Sequence, residues 1–429
     1  MKLLIYGLNY APEPTGIGKY TGEMAEWLAA HGHAVEVICG LPHYPQWQVA
    51  AGYEGFRFRS ETLAGVRVHR ARHYVPAADR LRARTRIFLE TSFTWGAARF
   101  WLPRFFSRQK PEVVIAVMPP MQIGVWPILY AWVRGVPWVL HVQDLQLDAA
   151  LRLGMLPGGA IGQVLYRVEA FLLRRATRVS TITEAMRQRV IEKGAASERA
   201  WLFPNWADIK AVCPGPRDNT FRKEFGIAPE TVLVLYAGNM GEKQGLEVVL
   251  EAAQLCADET CLQFLMVGTG GARLRLEQKA ATMGLGNIRF LPVQPVERLS
   301  EMLAAGDIHL VVQRRDAADL VMPSKLTNIL AAGRPCVATV DSGTALYDAV
   351  AGADTGLTTT PGDPAALAQA ILDLARNPEK REDYGRNARA YAELTLDKEY
   401  ILKAFEDKLL LLTEPEEASR IKRRSSEVA

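Results

Sequence analysis

Twice along the chain an apolar segment of strand type runs straight into a glycine-bearing turn and then into a helix. The first instance is "MKLLIYGLNY" followed by "APEPTGIGKYTGEMAEWLAAHGHAVEVICG". Within it Met24, Ala25, Trp27, Leu28 and Ala29 fall on one helical face, "HGH" ends the helix, and "AVEVICG" is a second strand. A strand–helix–strand unit of this kind builds a parallel sheet covered by helices. The same grammar continues through "GVRVHRAR", "EVVIAVMPP", "PWVLHVQDL" and "RVSTIT". A second series follows Pro214–Pro216, with strands "TVLVLYAGNMGEKQG", "CLQFLMVGTGG", "NIRFLPV", "DIHLVVQ" and "PCVATV". The fold class predicted is α/β, with two doubly wound, Rossmann-like domains, one over residues 1–205 and one over 215–385. The segment Pro204–Pro216, which lacks periodicity, is the hinge, and 413–429 is a polar tail. Two such domains side by side turn the carboxyl ends of their sheets toward one cleft, where ligands usually sit.

Composition narrows the class. The 429 residues are 49% hydrophobic and 23% charged, which excludes disordered, collagen-like and disulfide-scaffold chains. Cysteines 39, 213, 256, 261 and 336 form no C-x-x-C pair, and Met1–Gly7 does not resemble a signal peptide. They are expected as reduced cytosolic thiols. Val113–Val133 carries no charge over a length that spans a bilayer, yet Pro119, Pro120, Gln122 and Pro127 interrupt it. It reads as a buried strand, a turn and a short apolar helix. The net charge of +4 is unevenly spread, with 25 Lys and Arg against 15 Asp and Glu in residues 1–200. An anionic surface or partner on the first half is expected.

The glycine turns carry the candidate chemistry. In "PEPTGIGKY", Gly16 and Gly18 expose backbone N–H groups at a helix start, which favours an anion. Glu13 and Tyr20 exclude a P-loop, and Lys19-Tyr20-Thr21 after Gly18 breaks the dinucleotide fingerprint; a plain tight turn is the alternative. "YAGNMGEKQG" repeats the arrangement with Lys243 in the turn, suited to a diphosphate or merely solvated. In "LVMPSKLTNILAAGRP", Pro323 and Ser324 start a helix in the manner of a cap. Lys325 lies in its first turn and Asn328 one turn further on nearly the same face. Lys325 is placed to meet phosphate and Asn328 a ribose or sugar hydroxyl. "VLHVQDLQLD" follows a strand into a loop at the sheet's carboxyl end, with His141, Asp144 and Asp148. A carboxylate there orients or deprotonates a hydroxyl and a histidine stabilises developing charge. The alternative is that Asp144 caps the next helix and His141 is a core histidine.

From Arg80 to Lys110 eight Lys and Arg face a single acid, Glu90, and alternate with Phe88, Phe93, Trp95, Phe100, Trp101, Phe105 and Phe106. That mixture suits the headgroups of an anionic membrane, with Arg82, Arg86, Trp95, Arg99 and Trp101 as contacts. No nucleic-acid motif accompanies it. A solvated helix whose aromatics pack on its own sheet is the competing reading.

The spacing P-S-K-x-x-x-x-x-A-x-G-x-P at 323–335, the N-terminal glycine loop and the "AGNMGEKQG" turn resemble retaining glycosyltransferases of the GT-B fold, family GT4. "LPHYPQW", "HVQDLQLDAALRLGML" and "PSKLTNILAAGRP" are similar to bacterial exopolysaccharide enzymes of the colanic-acid type. The resemblance runs from about Met1 to Leu412. It implies a nucleotide-sugar donor on the C-terminal domain, met by Gly16, Gly18, Asn239, Lys243, Gln244, Ser324, Lys325 and Asn328. It also implies an acceptor on the N-terminal domain near His43, Tyr44 and Trp47, and a last helix, about 385–412, packing back on that domain. His141 and Asp144 are the implied catalytic pair. No metal and no cofactor are expected, in keeping with the lack of a D-x-D motif.

Two departures concern charge. A glutamate common in the family stands as Asn328 and an earlier one as Val321, while Asn239 and Gln244 replace an arginine and a lysine. The implied reaction moves a sugar, fucose from GDP-fucose foremost, onto a polyprenyl-diphosphate-linked oligosaccharide. It would run in the cytoplasm, peripheral on the inner face of the membrane, with no nucleic-acid partner. The alternatives are a UDP-N-acetylsugar transferase such as one for N-acetylfucosamine, a nucleotide-sugar 2-epimerase, and a catalytically dead nucleotide-binding module.

Overall fold

The computed structural model describes residues 1–14, 16–55, 58–77, 80, 82–148, 160–315 and 323–414. Contacts divide the chain into two units. The first is Met1–Pro204 with the segment from Leu402 onward, and the second is Asn205–Ile401.

The first unit holds an eight-stranded sheet in the order β3-β4-β2-β1-β5-β6-β7-β8. These strands are β1 (Lys2–Gly7), β2 (Ala34–Gly40), β3 (Phe58–Leu63), β4 (Val66–Ala71), β5 (Val113–Met118), β6 (Trp138–Val142), β7 (Arg178–Thr181) and β8 (Ala200–Leu202). All neighbours pair in parallel except β3 with β4. Ile5 stands beside Val37 on one side and Ile115 on the other. β5 is buried along its whole length, which is why a parallel strand covered on both faces reads as an unbroken apolar run. The β3–β4 hairpin turns on Ala64 and Gly65, at φ 46° and 81°, the paired positive values of a tight hairpin turn. The sequence reading missed this hairpin, as well as β8.

Among the helices that connect these strands are α1 (Gly16–Ala30), α2 (Ala83–Phe106), α3 (Val125–Arg134), α4 (Ala160–Arg175) and α5 (Glu184–Glu192). Met24, Ala25, Trp27 and Leu28 are the buried face of α1, as the periodicity requires. Val113–Val133 resolves into β5, a short helical turn and α3. Among the described residues no helix is long and apolar enough to cross a membrane.

The second unit is a six-stranded, wholly parallel sheet in the order β11-β10-β9-β12-β13-β14. Its strands are β9 (Val232–Ala237), β10 (Leu262–Val267), β11 (Ile288–Leu291), β12 (Ile308–Val311), β13 (Cys336–Thr339) and β14 (Gly356–Thr359). Around it lie α6 (Glu247–Leu255), α7 (Arg273–Thr282), α8 (Leu299–Ala305), α9 (Ser324–Ala331), α10 (Pro364–Arg376) and α11 (Pro378–Thr395). Two apolar clusters cover its faces, one around Leu235, Leu265 and Leu330 and the other around Phe264, Met266 and Ile371. The final helix, α12 (Lys398–Leu411), joins the first unit from Leu402, where Phe405 stacks 3.8 Å from Phe203 and Glu406 accepts from His33 at 2.6 Å.

Candidate functional site

In the second unit the glycine turns sit at the carboxyl ends of β9 and β10, the edge where open α/β sheets bind ligands. Gly238, Gly268 and Gly270 have φ near 150°, a backbone that side chains rarely adopt. A Cβ on Gly268 would lie 1.9 Å from the Gly238 carbonyl oxygen, and one on Gly270 would lie 2.4 Å from that of Met240. The two turns therefore nest main chain against main chain. Met240 N–H donates to the Thr269 carbonyl at 2.8 Å, and Ala272 N–H to Met240 at 2.9 Å. The following turn, 242–244, is closed by the Gln244 side chain, which accepts from Gly241 N–H at 3.1 Å. Gln244 is thus spent on shaping the turn, whereas the Asn239 side chain is exposed. The Lys243 side chain lies outside what is described.

Lys325 comes to the same edge from the first turn of α9. Its Nζ stands 4.0 Å from the centre of the Tyr236 ring, and a Cβ on Gly238 would lie 3.5 Å from it. The residue keeps part of its surface, but the ammonium nitrogen has none and makes no hydrogen bond among the described residues. Burial brings its pKa down from 10.5 to about 7. A ring face supplies roughly 2 kcal/mol to a desolvated cation, well short of the solvation an ammonium gives up. The Lys325 ammonium is therefore poorly compensated within the fold among the described residues. Pro323 is the N-cap and makes no side-chain cap bond, so Ser324 begins the helix instead of capping it, with its side chain exposed. Asn328 follows one turn on, half-buried. Val321 lies outside the described residues.

The sequence reading missed Arg314, at the end of β12. Its stem packs against the Gly245 turn, where a Cβ would meet Cγ at 2.6 Å and Cδ at 3.4 Å. The signal was the "QRRD" that closes the "DIHLVVQ" strand. A separate cavity of about 530 Å³ lies at the opposite edge, where β12 and β13 begin, between the Gly333 turn and α11. Its arginines are engaged in holding the fold: Arg334 donates to Gly215, Arg381 to Leu374 and Ala375, and Arg217 pairs with Asp307.

In the first unit the corresponding edge is organised by two buried residues that sequence reasoning did not single out. Glu13 Oε1 accepts from the N–H groups of His43 and Tyr44, both at 3.0 Å, and Oε2 accepts from Asn9 at 2.9 Å. Gly16, at φ 64°, opens α1, and a Cβ on Gly18 would run into the Glu13 carboxylate at 2.5 Å. Arg70, fully buried on β4, donates to the Ala11 carbonyl at 2.7 Å and pairs with Glu61 at 2.5 Å, with Tyr53 stacked 4.6 Å away. Both tie loops far apart in sequence, so no local pattern reveals them. His43 is buried, its Nδ1 donating to the Leu41 carbonyl at 2.9 Å. Tyr44 is exposed, and Trp47 holds a left-handed backbone at φ 56°. That strain in a bulky residue, of order 1–3 kcal/mol, is the kind that marks a ligand-facing loop.

Two expectations need correction, His141 as a catalytic residue and Trp101 as a membrane contact. His141 is buried within β6; its Nδ1 meets Ser180 Oγ at 2.9 Å and its Nε2 meets Gln143 at 2.9 Å. Burial lowers its pKa to about 3, so it is a neutral core residue and offers no nitrogen to a substrate. Asp148 is likewise internal, bound by Tyr166 at 2.5 Å, Arg189 at 3.0 Å and Lys193 at 2.8 Å. Asp144 is half-buried just past the carboxyl end of β6, two residues before the helical stretch 146–148. Trp101 is not a surface contact: it is fully buried, edge-on to Tyr6 at 5.3 Å and to Tyr130 at 5.5 Å. Trp95, Arg82, Arg86 and Arg99 are exposed, with Arg86 reaching Glu90 at 3.2 Å. Among the described residues no three His, Cys, Asp or Glu side chains converge as a metal site.

Comparison with known proteins agrees with this layout. The glycosyl transferase 4-like domain matches residues 15–206, and the glycosyl transferases group 1 family matches residues 217–391. The chain is 41% identical over 420 residues to a protein named for colanic acid biosynthesis, the glycosyl transferase WcaI of Escherichia coli K12, covering 94% of this chain and 98% of that one. Among solved structures it is similar to sucrose-phosphate synthase from Thermosynechococcus elongatus, with a TM-score of 0.75, 17% identity, and 96% and 98% of the two chains covered. It is also similar to Anabaena HepE in complex with UDP-glucose, with a TM-score of 0.69, 18% identity, and 96% and 100% covered. The chain has the GT-B fold and belongs to the family 4 glycosyltransferases.

Proposed function

We propose that this glycosyltransferase moves a sugar from a nucleoside-diphosphate donor to a lipid-linked oligosaccharide, with retention at the anomeric carbon, in the assembly of a colanic-acid-type exopolysaccharide. The observation that carries the donor half is the buried, unpaired Lys325 ammonium beside the nested glycine turns. Backbone N–H groups and one preorganised cation meet the charge that builds on a departing diphosphate. Arg314 adds charge nearby, and Asn328 reaches the ribose or a sugar hydroxyl. HepE, solved with UDP and with UDP-glucose, supports a nucleotide sugar as the partner class.

On the acceptor side Asp144 is the group that orients the incoming hydroxyl, and the loops fixed by Glu13 and Arg70 shape the acceptor's seat. The leaving diphosphate receives the acceptor proton on the same face of the sugar. The acceptor lipid lies in the inner leaflet of the cytoplasmic membrane, and no metal takes part. GDP-fucose is the favoured donor, a preference that follows the likeness to WcaI-type enzymes.

Calorimetric titration with GDP, UDP and ADP tests this directly. Binding of GDP alone that is lost in Lys325→Ala upholds the reading. Preference for UDP moves the donor to an N-acetylated sugar. Binding of none of the three overturns the donor site and leaves a dead module.

A further inference from the structure

α2, α3 and α4 form one continuous layer over the first unit's sheet. Trp101 of α2 packs between Tyr6 of β1 and Tyr130 of α3. Trp126 Nε1 donates to the Thr94 carbonyl at 2.8 Å, and Arg134 at the end of α3 donates to the carbonyls of Phe105 and Ser107 at 2.5 and 2.6 Å. On the other side Leu172 of α4 packs so closely on Gly124 that a Cβ there would lie 2.6 Å from it.

The inward side of this layer is ordinary core, with Leu89, Phe93 and Trp101 of α2 buried. The outward side is not an ordinary surface. On α2, Phe88, Trp95, Leu102 and Phe106 recur at helical spacing, with Trp95 72% and Phe106 87% exposed. On α3, Val125, Leu129, Trp132 and Val133 do the same, with Trp132 65% exposed. On α4, Val164, Val168 and Phe171 continue the pattern. Three neighbouring helices thus present apolar stripes, where a soluble surface scatters such residues singly.

Charge on the same layer has one sign. The three helices contain two acids, and both point inward: Glu90 beside Arg86, and Glu169 against Lys193. The charged side chains left outward are arginines, among them Arg84, Arg99, Arg167, Arg174 and Arg175. Exposed aromatics and aliphatics ringed by arginine fit the boundary between headgroups and acyl chains of an anionic bilayer. A second copy of the chain fits worse, because a symmetric pair would set arginine against arginine.

We infer that the α2–α3–α4 layer is the surface by which the enzyme docks on an anionic membrane, with Trp95, Phe106 and Trp132 inserted and the arginines on the headgroups. The inference rests on the reading of a lipid-linked acceptor and says which face meets the lipid. It enlarges the basic segment 80–110 to include α3 and α4, whose exposed apolar stripes lie outside that segment.

The test is co-sedimentation of the full chain with vesicles of phosphatidylcholine, with and without phosphatidylglycerol, at low and high salt. Binding to the anionic vesicles that weakens with salt is expected. Each of Arg99→Gln and Arg174→Gln should lower the partition coefficient about fivefold at low salt. Trp132→Ser with Phe106→Ser should lower it at both salt levels, while Leu394→Ser, an equally exposed apolar position on α11, should not change it. Equal binding to neutral and anionic vesicles, or binding to neither, overturns the inference. So does self-association abolished by Trp132→Ser, which would give the face to a second copy. Nucleotide titration of the same preparations separates the two readings. Nucleotide binding without vesicle binding sinks the surface alone, and vesicle binding without nucleotide binding sinks the transferase reading.

Discussion

The Lys325 ammonium and the Tyr236 ring stand 4.0 Å apart, and the Tyr236 hydroxyl donates to the Asn239 carbonyl at 2.6 Å. The ring that holds the cation is thus locked to the first glycine turn. Lys325, with its pKa at about 7, is half-protonated in the free protein near neutral pH. A bound diphosphate pulls that pKa up, so binding takes up a proton. Uptake should be roughly half a proton at pH 7, approach one above pH 8 and vanish below pH 6. Calorimetry in buffers of different ionisation enthalpy measures it, and a buffer-independent heat at pH 8 would refute it.

Removing the same side chain should separate binding from folding. Lys325→Ala gives up charge-assisted contacts of about 1.5–3 kcal/mol, a loss of roughly 10- to 150-fold in nucleotide affinity. The melting temperature should hold or rise, because a buried ammonium without a counter-charge costs stability at pH 7. A fall of several degrees would mean that Lys325 is a structural strut.

Gly268→Ala should be far more damaging than its single methyl group implies. The added Cβ meets the Gly238 carbonyl at 1.9 Å on a backbone at φ 150°. A loss of about 2 kcal/mol or more, with nucleotide affinity falling alongside it, is expected by denaturant titration. Gly271→Ala, with open space around its Cβ position, is the matched control and should be nearly silent.

His141 and Asp144 should part company. His141→Ala empties a buried site and costs about 2–4 kcal/mol, with little change in turnover by the protein that stays folded. Asp144→Ala should cut the transfer rate by about 10²-fold while leaving nucleotide affinity within about twofold, since positioning the acceptor hydroxyl acts on the transfer step and not on donor binding. The pair is read by thermal melts alongside single-turnover transfer; a catalytic loss confined to His141→Ala would reverse the assignment.

Acid should unfold the protein through its histidines. His73 and His141 are held neutral by burial with pKa values of about 3, and His309 with one of about 4, against 6.5 when unfolded. The unfolded chain therefore binds more protons between those values, so stability falls as pH drops below about 6.5 and the loss continues toward 4. Urea midpoints at stepped pH follow this, and His309→Gln should flatten the slope for the second unit.

What the sequence made legible was whatever is local. β1, β5 and β9 announce themselves because a strand buried on both faces is unbroken apolar sequence. Lys325 was visible because proline, serine, lysine and the helix lie within one turn. His141 was not: in a doubly covered strand neither face is solvent, so alternation carries no information about which residues meet ligand. Trp95 and Trp101 looked equivalent in a list of aromatics, but six residues on a helix put them on different sides of α2. Glu13 and Arg70 act across 31 and 59 residues, at the Tyr44 and Ala11 backbones, and only the folded sheet brings those loops together.

The nested turns at Gly238, Gly268 and Gly270 have a consequence for anyone wishing to change the sugar. On the proposed reading, a wall built of main chain keeps the same shape whatever the neighbouring side chains are, so it suits the part common to every sugar nucleotide and is blind to the parts that differ. Selection among donors has to be exercised at the margins, by positions such as Ser324, Asn328 and Arg314, where side chains begin again. A combinatorial library that spares the three glycines and varies those margins would explore new donors without losing the grip on the diphosphate.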